Sequence, residues 1–139
     1  MKPQRSAACG AGPYSRRGLC YNRLITCEAT TMDLSARTCV PCKGGVPPLT
    51  AAQMAPLLAE VPKWRVIDGH HIERNFAFPD FKTALAFTNR VGDVAEAQGH
   101  HPDIHLSWGS VVVTIWTHKV GGLTESDFIL AAKIDRLDA

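Results

Sequence analysis

Between Asp103 and Trp108 apolar and polar residues alternate strictly, and Val111, Val113 and Ile115 repeat the apolar half of that pattern a few residues on. A period of two is the mark of a half-buried β-strand, because successive side chains point to opposite faces. Gly109-Ser110 separates the two stretches and suits a two-residue type II′ turn, which takes glycine at its first central position. The expected register pairs Trp108 with Val111, Leu106 with Val113 and Ile104 with Ile115 on one apolar face. Ser107 with Val112, His105 with Thr114 and Asp103 with Trp116 fill the other. A one-residue slip would turn the whole apolar set to water, so burial specifies the hairpin strongly.

The hairpin also says where histidines go. Four of the six, His100, His101, His105 and His118, lie between Glu96 and Asp127. The same count carried past the strands sets His101 opposite His118, with His100 beside them. Directly opposed residues have Cβ atoms about 4.5–5.5 Å apart. Imidazoles gain and lose protons near neutral pH, so such a cluster suits general acid–base chemistry. Zinc is the other use of three histidines, but neighbours on regular structure point to opposite faces and chelate poorly. No metal is expected.

The remaining pattern supplies a small α+β domain. Thr50 caps a helix over residues 51–60 in which Pro56, lacking a backbone donor, should kink or shorten the helix. Trp64 to Phe78 is a second hairpin. A three-residue loop, Asp68-Gly69-His70, places Trp64 and Val66 on one face with Ile72 and Phe76, and leaves His70 and His71 exposed at the turn. A helix follows from Asp80 to Gln98 with an apolar stripe through Phe81, Ala84, Leu85, Thr88, Val91, Gly92 and Ala95, and with Phe87 and Val94 partly off it. Gly99 ends this helix just before His100. Thr124 and Asp127 form a Ser/Thr-x-x-Asp/Glu capping pair for a last helix reaching Leu137. The order is α-β-β-α-β-β-α, a four-stranded antiparallel sheet with helices packed on one face.

Charge divides the chain unevenly. Residues 1–31 hold five basic side chains and one acidic, the rest ten and twelve, although the total is +2. The folded part is thus mildly acidic and offers no phosphate-neutralising patch for direct nucleic-acid binding. No apolar run approaches the ~20 residues of a membrane span. Residues 1–38 read as a disordered or loosely attached leader and 39–139 as the domain. The leader is too weakly apolar for secretion; its arginines leave an organellar transit peptide as the alternative to a cytoplasmic protein. Five cysteines, an odd count with three in the leader, argue against a disulfide framework. Cys39-Val40-Pro41-Cys42 is a lone C-x2-C pair, read as part of an ordered N-terminal arm.

His100-His101-Pro102, then five residues to Trp108, nine to His118 and eight to Asp127, with Glu96 upstream, resembles the signature of the pterin-4a-carbinolamine dehydratases. The flanking TALAFTNRVGDVAEAQGHHPDIHLSW and IWTHKVGGLTESDFILAAKID are similar to bacterial and plant-type members, and the resemblance covers about Cys39 to Leu137. It implies loss of water from a 4a-hydroxytetrahydropterin, with His100, His101 and His118 as acid–base residues and His101 the principal acid. It implies that Glu96, Gly99, Trp116, Thr117 and Asp127 join those histidines in binding the pterin, with no cofactor besides that substrate. It also implies a homodimer or homotetramer. The alternative it carries is a non-catalytic binding protein, since some relatives are transcriptional dimerisation cofactors or Rubisco assembly factors.

Overall fold

The computed structural model describes residues 33–40 and 44–137. It contains a 3-10 turn at Leu34–Ala36, then α1 (Ala51–Glu60), β1 (Arg65–Ile67), β2 (His71–Ala77), α2 (Phe81–Gln98), β3 (Asp103–Ser107), β4 (Ser110–Ile115) and α3 (Glu125–Asp135). The four strands form one antiparallel sheet in the order β1-β2-β4-β3. The expected architecture is therefore present: α2 packs against β3 and β4, α3 lies against α1 and α2, and Asp135 of α3 reaches Arg74 of β2.

The first hairpin in chain order forms with the expected loop. Ile67 pairs with His71, so Asp68, Gly69 and His70 make the turn. Asp68 and Gly69 both have positive φ, at 51° and 65°. Val66, Ile72, Arg74 and Phe76 then share the covered face, and Trp64 is buried just before β1. Arg74 brings a cation to that face. It lies over the Phe76 ring at 4.0 Å and pairs with Asp135, which also accepts a 2.8 Å hydrogen bond from Trp64 Nε1. Burying a charge is tolerable only with such partners.

The second hairpin corrects the expected register. Ser107 pairs with Ser110, Leu106 with Val111 and Ile104 with Val113. The turn residues are Trp108 and Gly109, neither at positive φ, so no type II′ turn forms. The shift is two residues. Because strand side chains repeat every two, it leaves the apolar set on the same face, and the hydrophobic pattern cannot tell the two registers apart. Tertiary contact chooses. Gly109 sits against Phe78, whose amide donates to the Gly109 carbonyl at 2.8 Å; a Cβ on Gly109 would stand 2.7 Å from the Phe78 carbonyl oxygen. Trp108, expected on the buried face, is 74% exposed at the tip.

The helices show which faces the core uses. Thr50 precedes α1, and α1 is not shortened: it runs through Pro56 to Glu60. Asp80 caps α2 by accepting from the Thr83 amide at 2.7 Å. The buried stripe of α2 is Ala84, Phe87, Val91 and Ala95. Phe87 is thus a central core residue, touching Phe76 and Phe78. Phe81 and Leu85, expected on that stripe, are 42% and 41% exposed. The most enclosed element is α3. Every residue from Ser126 to Ala132 is buried, which is how a helix apolar around most of its circumference must be placed. Part of its cover is the 33–40 segment, whose Leu34 enters the core beneath a Lys133–Ser35 carbonyl bond of 2.8 Å. Residues from Asp33 onward, placed with the leader by composition, therefore pack with the domain; residues 1–32 lie outside the described part, as does Cys42. Among the described residues no helix is long and apolar enough to cross a membrane.

Candidate active site

Two helix ends and the end of one strand meet beside the sheet. Gly99 takes the left-handed conformation (φ 59°) that glycine adopts without a Cβ penalty. Its amide bonds the Glu96 carbonyl at 3.1 Å and that of His100 bonds the Ala95 carbonyl at 3.2 Å. This Schellman closure satisfies the last carbonyls of α2 and turns the chain sharply. Pro102 follows, and strand pairing begins only at Asp103 with Thr114. Across the cleft β4 runs out at Ile115, delivering Trp116, Thr117 and His118. Thr117 and Gly122 then close a small loop, with the Thr117 amide donating to the Gly122 carbonyl at 3.0 Å.

His100, His101 and His118 line one open cleft of about 300 Å³, with Gly99, Trp116 and Thr117. The expected gathering of the three histidines is present, but not for the expected reason. In the observed register the count carried past the strands sets Trp116, not His118, opposite His101. The helix end and the 117–122 loop bring the imidazoles together, not a cross-strand pair.

Each of two histidines is held by a carboxylate. His100 Nε2 lies 2.7 Å from Asp127 Oδ1, and its side chain is 10% exposed. Asp127 has no exposed surface. Its other oxygen accepts from the Thr124 amide at 2.6 Å, the Thr124 hydroxyl at 3.1 Å and the Thr117 hydroxyl at 3.0 Å. One buried carboxylate thus closes the N-terminus of α3 and fixes the His100 ring, and it reaches the cleft through that ring. A carboxylate accepts only, so His100 presents Nε2–H to it and Nδ1 elsewhere. His101 Nε2 lies 2.8 Å from Glu96 Oε1 in an exposed pair. His118 stands at the mouth with its ring against Trp116, centroids 4.3 Å apart.

Some neighbours of the cleft were not named beforehand. His70 and His71 pack on Trp116 at 5.6 and 6.2 Å, so the hairpin turn borders the site and is not merely solvated. Val40 and Gln98 also line the cleft, together with Lys119. Gln98 could have been suspected from its place beside Gly99; Val40 lies far away in sequence and carries no local signal. His105 is exposed on the open face of the sheet, opposite Val112.

The fold and this cleft define a small α+β domain with a cleft lined by three imidazoles, two of them paired with carboxylates. Comparison with known proteins gives that class its family. Residues 47–137 match the family model described as pterin 4 alpha carbinolamine dehydratase. A protein of Rubrobacter xylanophilus, provisionally named pterin-4-alpha-carbinolamine dehydratase, is 54% identical over 105 residues, which are 76% of this chain and 98% of that protein. One of Alkaliphilus metalliredigens with the same provisional name is 48% identical over 105 residues, 75% of this chain and 95% of its own length. Among solved structures, a transcriptional coactivator/pterin dehydratase from Brucella melitensis superposes with a TM-score of 0.62 at 34% identity, over 66% of this chain and 99% of that one. The chain belongs to the pterin-4a-carbinolamine dehydratase family.

Proposed function

We propose that the protein dehydrates 4a-hydroxytetrahydrobiopterin to the quinonoid dihydropterin, in the regeneration of the tetrahydropterin used by aromatic amino acid hydroxylases. The observation that carries this is the set of three cleft histidines, two of them fixed by carboxylates, in a chain of this family. The reaction breaks the bond from C4a to the hydroxyl oxygen. That oxygen takes a proton and leaves as water, while a proton is lost from the neighbouring ring nitrogen as its double bond to C4a forms. No electrons are exchanged with a second reactant, so proton donors and acceptors suffice, and neither a metal nor a redox cofactor is required. His101, whose Nε2 is engaged by Glu96, delivers the proton to the leaving hydroxyl. His118, across the cleft, receives the proton from nitrogen. His100, locked by Asp127, orients the pterin, with Gly99, Thr117 and the Trp116 ring completing its seat.

A role limited to binding another protein has no use for this histidine set, which is why the enzymatic reading is preferred over an assembly factor or coactivator. We further propose a cytoplasmic homodimer or homotetramer, for which the exposed Phe81 and Leu85 of α2 and the open edges of β1 and β3 are the available surfaces. The test is the loss of enzymatically generated 4a-hydroxytetrahydropterin, followed by ultraviolet absorbance. Wild type should accelerate it, and His101→Ala and His118→Ala should each lose about 10²-fold or more in kcat. Absence of acceleration by the wild type overturns the reading. Full activity of His101→Ala would remove the acid role assigned to that residue.

A further inference from the structure

Cys39 and Val40 are not used by the chemistry above, yet the arm that carries them reaches the site. After Leu34 enters the core, the chain crosses the start of α3, where Arg37 pairs with Glu125. The Cys39 amide then donates to Gln98 Oε1 at 3.1 Å, and the Cys39 thiol lies 3.4 Å from the Ser126 carbonyl. The Val40 amide donates to Ser126 Oγ, and Ser126 Oγ donates to the Val40 carbonyl, each at 3.2 Å. The positions of the two anchors matter. Gln98 immediately precedes Gly99-His100, and Ser126 immediately precedes Asp127. The arm therefore joins the two helix ends that hold the buried histidine–carboxylate pair. At the end of these anchors stands Val40, an apolar side chain 71% exposed, and it lines the cleft.

An ordered backbone that holds an isopropyl group open to a histidine-lined cleft leaves apolar surface uncovered until the face of a ring comes to rest on it. We infer that Val40 is a substrate-contact residue: it forms the apolar wall on which the face of the pterin ring rests, supplied by an arm some sixty residues before the histidines. This rests on the proposed function for the identity of the ring, and it adds a residue outside the histidine motif. The contact is made with bound substrate and product alike, so it acts on affinity and leaves the proton transfers untouched.

The test uses the full chain with Val40→Ala, Val40→Asp and Val40→Leu. Two quantities are measured: steady-state dehydration, and binding of dihydrobiopterin, an unreactive pterin, by titration calorimetry. Val40→Ala should raise KM and Kd about five-fold, the worth of one to two partly covered methyl groups. Val40→Asp should raise both by more than about twenty-fold, and Val40→Leu should restore them, while kcat stays within about two-fold throughout. Melting temperatures should match the wild type, since the side chain is open to solvent. Wild-type KM and Kd in Val40→Asp would overturn the inference, as would a fall in kcat with unchanged Kd. A wild type that binds dihydrobiopterin without dehydrating would defeat the proposed function alone, and the Kd series would still decide the role of Val40. A wild type that does neither overturns both.

Discussion

Replacing Asp127 by asparagine separates the two tasks this carboxylate performs. The side chain has no exposed surface and four close donors: His100 Nε2 on one oxygen, and the Thr124 amide, Thr124 hydroxyl and Thr117 hydroxyl on the other. The Thr124 amide is a fixed donor, and in the Asp127→Asn variant it can be met only by the side-chain amide oxygen. The new NH2 is then forced toward His100, donor against donor. Either the charge-assisted bond is lost, at about 1.5–3 kcal/mol, or the imidazole shifts its proton to Nδ1 and restores a bond through Nε2 as acceptor. The helix cap survives in both cases. Stability should fall by about 1–3 kcal/mol, or roughly 5–15 °C in melting temperature for a domain of this size. Because His100 would present the wrong nitrogen or a loose ring to the cleft, kcat/KM should fall about 10–100-fold, the usual cost of losing a group that orients a functional histidine. Alanine is less informative. It strands several buried donors at once, each costing about 1–3 kcal/mol, and threatens the fold itself. Ultraviolet dehydration kinetics and thermal unfolding of the same asparagine variant give both readouts. Wild-type kcat/KM in a protein of lowered melting temperature would refute the argument, leaving Asp127 a helix cap and nothing more.

Gly109→Ala should destabilise the domain by about 1–3 kcal/mol, because the added Cβ meets the Phe78 carbonyl oxygen at 2.7 Å and the hairpin tip must move; urea unfolding measures it, and an unchanged midpoint would contradict the account of the register. Asp80 tests the cap of α2 through pH. The Thr83 hydroxyl, and after it the Thr83 amide, hold its carboxyl below the ordinary value of 3.8. A folded pKa below the unfolded one gives stability that is present above 3.8 and is lost as pH falls through the lower folded value. Asp80→Asn keeps a capping oxygen without the titration, so its melting temperature should decline less than that of the wild type under acidification below that point. Parallel curves would show that the cap does not depend on the charge.

Local patterns determined most of this protein. The period of two in Ile104, Leu106, Val111, Val113 and Ile115 named the strands and their buried face. Asp68-Gly69-His70 named its own turn, since positive φ is a local demand. Gly99 and the Thr124/Asp127 pair marked where helices end and begin, and those ends are where the site lies. The histidines were expected as neighbours from a cross-strand count that the observed register overturned, and it is the end of α2 and the 117–122 loop that gather them. Other decisions needed atoms far apart in the chain. A two-residue slip costs no burial, so the register of the second hairpin waited on Phe78 meeting Gly109. The core face of α2 rotated toward Phe87 because Phe76 and Phe78 lie across from it, leaving Phe81 and Leu85 at the rim. The pairing of His100 and His101 each with its own carboxylate was likewise a tertiary choice. Glu96 lies close enough in sequence to reach either ring, but Asp127, buried in the first turn of α3, takes His100 and leaves His101 to Glu96. The arm that brings Val40 to the cleft lies farthest from any sequence signal. Its hydrogen bonds run to Gln98 and Ser126, and no periodicity records a contact between backbone and side chain across that distance.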